Sequence, residues 1–261
     1  MGTHHKTGTI WMRKVFRRIA AEQNIPFMQM YRPKRMADLP EDGPAIVVNW
    51  NSSFPQPLLD HPDARFIHII RDPRDVLLSG TRYHQVAGLG NEKFLREKRE
   101  EWGGKNYQDH IKALKTQGEK LRFEMEHKHA ATLSEMLRWD YKHPHSYEIA
   151  YEDLIEDTDC AIFRGILEGI AAPGVDIDAA VQAYWDLSLF GGLAKAEDRD
   201  ERQNLHVASG QPAQWVDKLP RDVAEDYLKQ HGADLKALKY EKTNKWVEAC
   251  KEPEGGLTIG A

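Results

Sequence analysis

A chain of 261 residues, 41% hydrophobic and 30% charged, has enough apolar material to bury the core of one large α/β domain or two small ones. Its formal net charge of −5 argues against a general nucleic-acid binder, while leaving room for local basic clusters that hold small anions. The two cysteines, Cys160 and Cys250, lack metal or disulfide-framework spacing and fit a reducing, cytoplasmic compartment; with only short apolar runs and no secretory-type start, no membrane segment is expected. Twelve histidines are present, but none forms a His-Glu-x-x-His set, so no metal site is expected.

In chain order, His4-His5-Lys6-Thr7-Gly8-Thr9-Ile10-Trp11 comes first, directly before a helical pattern. Gly8 lets backbone approach a ligand, Thr7 and Thr9 offer hydroxyls, Lys6 offers charge, and a helix starting near Ile10 aims N–H groups at the same point. The stretch reads as a phosphate-binding turn. It is not a Walker A loop, because its lysine precedes the glycine. Arg13 to Gln23 carries an apolar stripe of Val15, Phe16, Ile19 and Ala20, and Tyr31 to Gly43 reads as an irregular polar crossing.

Ala45 to Asn49 is a short buried-strand pattern that ends in the polar loop Trp50 to Pro55. A second strand, Arg65 to Ile70, runs into Arg71-Asp72-Pro73-Arg74-Asp75-Val76-Leu77-Leu78-Ser79. At that junction Asp72 suits the N-cap, Pro73 the first helical position, and Asp75 the third, as in an acidic capping box. Capping chemistry leaves Arg71 and Ser79 unexplained. Gly88 to Gly104 reads as a polar loop, Tyr107 to Tyr141 as a long amphipathic stretch, and Ser146 to Tyr151 as a strand leading into Glu152-Asp153-Leu154. Helices follow over Asp159 to Ile170 and Asp178 to Leu187, a solvated charged loop over Lys195 to Arg202, a last helix over Arg221 to Gln230, and a loose glycine-rich tail over Glu252 to Ala261. With no repeat or composition break, one domain over residues 1–261 is the economical expectation.

His5 to Trp11 resembles the 5′-phosphosulfate loop, Pro-Lys-Ser-Gly-Thr-Thr-Trp, of the sulfotransferases that use 3′-phosphoadenosine 5′-phosphosulfate (PAPS). Ile70 to Ser79 resembles that family's 3′-phosphate motif, Tyr151-Glu152-Asp153-Leu154 its element after a strand, and Ser188-Leu189-Phe190 the segment that faces the adenine. His206 to Trp215 is similar to the late Arg-Lys-Gly-x-x-Gly-Asp-Trp element, with Ala208 and Ser209 in place of the two cations. The resemblance implies a three-layer α/β/α fold with a central parallel sheet, P-loop NTPase-like in plan, and a metal-free transfer of a sulfuryl group from PAPS, releasing PAP, to a hydroxyl or amine of a small-molecule acceptor. It also allows a homodimer.

By the same resemblance, Lys6 contacts the bridging oxygen or sulfuryl group, Thr7, Gly8, Thr9 and Ile10 hold the 5′-phosphate, and Trp11 stacks on adenine. Arg71 and Ser79 take the 3′-phosphate, while Tyr151, Ser188, Phe190, Ser209 and Gly210 complete the nucleotide site. Two departures stand out. Asn51 occupies the place of the family's histidine base and cannot act as a base at neutral pH. Three accounts stay open: His84 serves instead, Glu124 does, or the acceptor needs little help. Only Met1-Gly2-Thr3 precedes His4, so either further residues belong before it or the central first strand is reduced to a stub. Alternatives are a catalytically impaired PAPS- or PAP-binding protein on the same fold, and, less well supported, a P-loop kinase.

Overall fold

Short β-branched and aromatic runs build the sheet that carries the candidate site. In the computed structural model, which describes residues 1–88, 92–171, 174–199 and 210–251, β1 (Phe27–Gln29) pairs in parallel with β2 (Ile46–Val48), and β3 (Phe66–Ile70) with β4 (Ser146–Ala150). Met1 to Thr3 joins the two pairs, because Gly2 bridges in parallel to both Asn49 and His68. Gly2 N–H donates to Ile67 O (2.8 Å), Ile69 N–H to Gly2 O (2.9 Å), and Thr3 N–H to Asn49 O (3.0 Å). Met1 to Thr3 thus makes the ladder bonds that join the two pairs into one sheet. Its glycine is required by close approach, since a Cβ there would lie 2.7 Å from Ser52 Oγ.

The chain divides into two compact units, Met1–Arg71 with Arg138–Gly210, and Asp72–Leu137 with Gln211–Ala261. In the first, side chains alternate across the sheet as the two-residue strand period requires. Ile67, Ile69 and Ile149 pack against α1 (Thr9–Glu22), α8 (Ala161–Ile170) and α9 (Ile177–Asp186) through Val15, Phe16, Ile19, Phe163 and Tyr184. Phe66 on the opposite face packs with Phe54, Leu58 of α2 (Gln56–Leu59) and Trp139. Helix, sheet and helix form the three layers expected. β1, and a 3₁₀ turn over Pro33–Asp38, lie on either side of the start of the expected irregular crossing; unlike the Ile-Val-Val of β2, the Phe-Met-Gln of β1 has no β-branched residue to mark it.

The second unit is helical among its described residues. α3 (Pro73–Val86), α5 (Gln117–Glu124) and α11 (Arg221–Ala237) share a core of Leu77, Leu121, Val223, Tyr227 and Leu235. The amphipathic stretch expected from Tyr107 to Tyr141 is interrupted. α4 (Tyr107–Ala113) ends before a reciprocal capping box of Thr116 and Glu119 starts α5, and a π-turn over Met125–His129 separates α5 from α6 (Ala130–Leu137). α11 outruns its expected end at Gln230 and continues to Ala237, about two turns further. α7 (Tyr151–Glu156) follows β4, and α10 (Trp215–Lys218) precedes α11. Among the described residues no helix is long and apolar enough to cross a membrane.

Asp72 accepts from Arg74 N–H (2.9 Å) with Pro73 in the first turn, as the junction predicts. Asp75, expected to complete a capping box, accepts the Trp215 N–H (3.0 Å) and ties the start of α3 to α10. Arg74 is 2% exposed, bonds Asp72 through Nε and Nη2, donates to Glu241 (2.6 Å), and lies over the Trp215 ring at 3.6 Å.

Candidate active site

In an open parallel sheet, ligands gather beyond the carboxyl ends of the strands. In the first unit that edge presents, strand by strand, Met30 and Tyr31 after β1, Asn49 to Ser53 after β2, His4 to Gly8 after Met1 to Thr3, Arg71 after β3 and Tyr151 after β4.

The loop after Thr3 is built around one carbonyl. His4 O accepts from Thr7 N–H (3.2 Å), Thr7 Oγ1 (3.0 Å) and Thr9 Oγ1 (2.7 Å), while His4 N–H donates to Thr7 Oγ1 (2.9 Å). Lys6 and Gly8 both adopt left-handed backbone, at φ 66° and 86°. For lysine that conformation is uncommon and costs free energy that the surrounding bonds must offset. Gly8 has no such cost, and a Cβ there would come 3.0 Å from the Tyr151 ring. α1 begins at Thr9 with no side-chain cap and no acidic residue in its first turn, so its positive end and N–H groups suit an anion.

Tyr151 gathers further predicted residues. The Arg71 guanidinium lies 4.4 Å from its ring centroid and donates to Lys6 O (3.3 Å), and the Tyr151 hydroxyl donates to Gly210 O (3.1 Å). Trp11 meets Tyr151 edge-on and stacks on Tyr184 at 5.4 Å, and Phe190 meets Tyr184 edge-on at 5.7 Å. Tyr184, missed by motif reading, is fully buried and donates to Leu154 O (2.7 Å). Burial raises its phenol far above the ordinary value. Its signal in the sequence was only the apolar face of a helix. Ser188 is buried, and its hydroxyl bonds Trp185 O (2.8 Å) and Gly191 N–H (2.9 Å), which fixes its own turn. Ile10 is half-buried in the first turn of α1. Ser209 lies outside the described residues, with residues 200–208 and the tail 252–261.

Asn51 sits in a turn locked by Asn49, whose Oδ1 accepts from Asn51 N–H (3.0 Å) and Ser53 N–H (3.2 Å) and whose amide donates to Met30 O (2.6 Å). In the second unit, Ser79 lies two turns into α3. His84 and Glu124, two separate candidates for the base, are hydrogen-bonded to each other: Nδ1 to Oε2, 2.7 Å. Tyr107 donates to the same oxygen (2.7 Å), and both partners are enclosed, at 0% and 2% side-chain exposure. Burial, then the Glu124 charge, raises the Tyr107 phenol far above its usual value. Gly80 gives the carboxylate its space, since a Cβ there would lie 2.7 Å from Glu124 Oε1.

The family model for the sulfotransferase domain matches residues 1–165. The chain belongs to the sulfotransferase family. Solved structures with this fold include retinol dehydratase in complex with androsterone and inactive cofactor PAP, at TM-score 0.51 and 12% identity, covering 93% of this chain and 82% of that one. A mouse sulfotransferase complexed with PAP matches at TM-score 0.51 and 13% identity, covering 92% of this chain and 86% of that one. No curated protein sequence matches. Within this sulfotransferase, then, the loop with left-handed Lys6 and Gly8, the uncapped start of α1 and the Arg71–Tyr151 contact occupy the carboxyl edge of one parallel sheet.

Proposed function

We propose that this sulfotransferase moves a sulfuryl group from PAPS to a hydroxyl or amine of a small-molecule acceptor, releasing PAP. The observation that carries the reading is the His4–Thr9 loop, with two left-handed residues and an uncapped, acid-free helix start behind it, joined through Arg71 to Tyr151. Sulfuryl transfer asks little covalent work of a protein; it needs in-line placement and cations where charge develops. PAPS supplies the reactive group and the leaving group. Lys6 stabilises the bridging oxygen, and the N–H groups from Gly8 to Trp11 at the start of α1 hold the 5′-phosphate, while Thr7 and Thr9 shape the loop through their bonds to His4 O. Arg71 and Ser79 take the 3′-phosphate, and the aromatic set of Trp11, Tyr151 and Phe190 with Gly210 borders the base. Both cysteines are buried thiols, which suits a reducing, cytoplasmic setting.

For the acceptor proton we assign His84, with Glu124 accepting its Nδ1–H and Tyr107 fixing Glu124. A carboxylate that accepts from Nδ1–H holds a histidine in one tautomer and makes its Nε2 a stronger proton acceptor. His84→Ala lowers kcat while PAP affinity stays, and Glu124→Gln does the same to a smaller degree, measured across pH. Unchanged turnover in both variants removes the assignment.

Transfer itself is tested by incubating PAPS with a panel of phenols, alcohols, amines and sugars and reading products by mass spectrometry. A sulfated product that disappears in Lys6→Ala supports the proposal. Asn51, spent on its own turn, favours one rival, a PAP-binding protein without turnover; tight PAP binding with no product from any acceptor class supports that instead.

A further inference from the structure

A chain of three side chains runs from the surface to the root of the phosphosulfate loop, and the reaction as described does not use it. β3 and β4 place His68 directly opposite Glu148, and Glu148 Oε2 and Oε1 lie 2.7 and 2.9 Å from His68 Nδ1. On the other side of the same ring, His68 Nε2 lies 2.8 Å from His4 Nε2. Both rings are fully buried, whereas the Glu148 side chain is 33% exposed. His68 is held flat against Trp139, centroids 4.5 Å apart and planes 18° apart, with Tyr141 edge-on at 5.7 Å.

We infer that Glu148 and His68 are positioning residues that fix the His4 ring in one tautomer and thereby set the backbone carbonyl on which Thr7 and Thr9 converge. The proton order follows from donor and acceptor capacity. A carboxylate only accepts, so His68 carries its proton on Nδ1 and its Nε2 is an acceptor. His4 must then donate from Nε2. Burial, which holds His68 down to about 3 from the ordinary 6.5, keeps that ring neutral and the order unique. His4 cannot turn without breaking this bond, and its carbonyl receives Thr7 N–H, Thr7 Oγ1 and Thr9 Oγ1. A ring locked from one side therefore locks the loop from the other, in the manner of partners that orient ligating histidines in metal sites.

The inference rests on the loop holding the donor phosphate, and its test separates the two claims. Long-range proton–nitrogen NMR on the ¹⁵N-labelled protein without nucleotide reads the tautomers directly. The expected spectrum has His68 as Nδ1–H and His4 as Nε2–H. In Glu148→Ala, His4 loses its single tautomer and PAP affinity by calorimetry falls about tenfold, the effect of one lost hydrogen bond to a charged group. Glu148→Gln, whose carbonyl still accepts from Nδ1–H, keeps the tautomer and most of the affinity. His4 as Nδ1–H in the parent protein, or PAP binding unaltered in Glu148→Ala, overturns the inference. Absence of PAP binding in the parent protein removes the donor assignment, while the apo spectrum still decides the tautomers.

Discussion

At the scale of single residues, the loop residues act by charge and by backbone conformation, and the two separate in mutants. Lys6→Ala removes a charge-assisted contact worth about 1.5–3 kcal/mol, so transition-state binding, read as kcat/KM for PAPS, falls about 10- to 150-fold. Gly8→Ala acts on the fold as well. It places a Cβ at φ 86° and 3.0 Å from the Tyr151 ring, and costs about 1–2 kcal/mol in denaturant unfolding from conformation alone. The residue types of this loop, and the roles of Asp72 and Pro73 as cap and first turn, were legible because each is a local rule satisfied within four residues. The partners of His4, His68, Glu124 and Asp75 were not, because each lies far away in sequence. A histidine inside the apolar run Phe66 to Ile70 was the one visible hint of a buried polar contact.

At the scale of elements, runs containing β-branched residues located β2, β3 and β4, and the apolar stripe located α1, to within a few residues; β1 has neither signal. β1 and the Met1–Thr3 segment are defined only by the strands beside them. The start of α3 shows how a local signal acquires a long-range role. Arg74 beside the Asp72 cap could be taken for a solvated charge, but the structure buries it between Asp72, Glu241 and two tryptophans. Arg74→Ala leaves two carboxylates without their cation and costs about 3–5 kcal/mol, measured as a lowered midpoint of unfolding in urea. Arg74→Lys recovers little, since an ammonium reproduces neither the bidentate bonds nor the stacking.

For the whole molecule, each unit buries a neutral histidine: His68 in the first and His129, bonded to Tyr227 (2.9 Å), in the second, both lowered from 6.5 to about 3 with burial as the largest cause. Between those values the unfolded chain binds more protons than the folded one, so stability rises with pH through the window and is lost as pH falls from 6.5 toward 3. Each histidine contributes a slope of up to about 1.4 kcal/mol per pH unit, and His129→Gln flattens the urea-midpoint profile below pH 6.5. Family and layered architecture were legible because two phosphate motifs occur in the right order along the chain; the division into two compact units was not, because no composition break marks Arg71, Leu137 or Gly210. The central claim of the proposed function is that the chain reads a nucleotide by two separate phosphates, the 5′ at the Lys6 loop and the 3′ at the motif that begins at Arg71. Calorimetry with PAP, AMP and ATP on the unmodified protein measures it. The account predicts that PAP binds at least about tenfold tighter than either, the worth of one charge-assisted phosphate contact; equal binding of the three, or no binding of PAP, contradicts it.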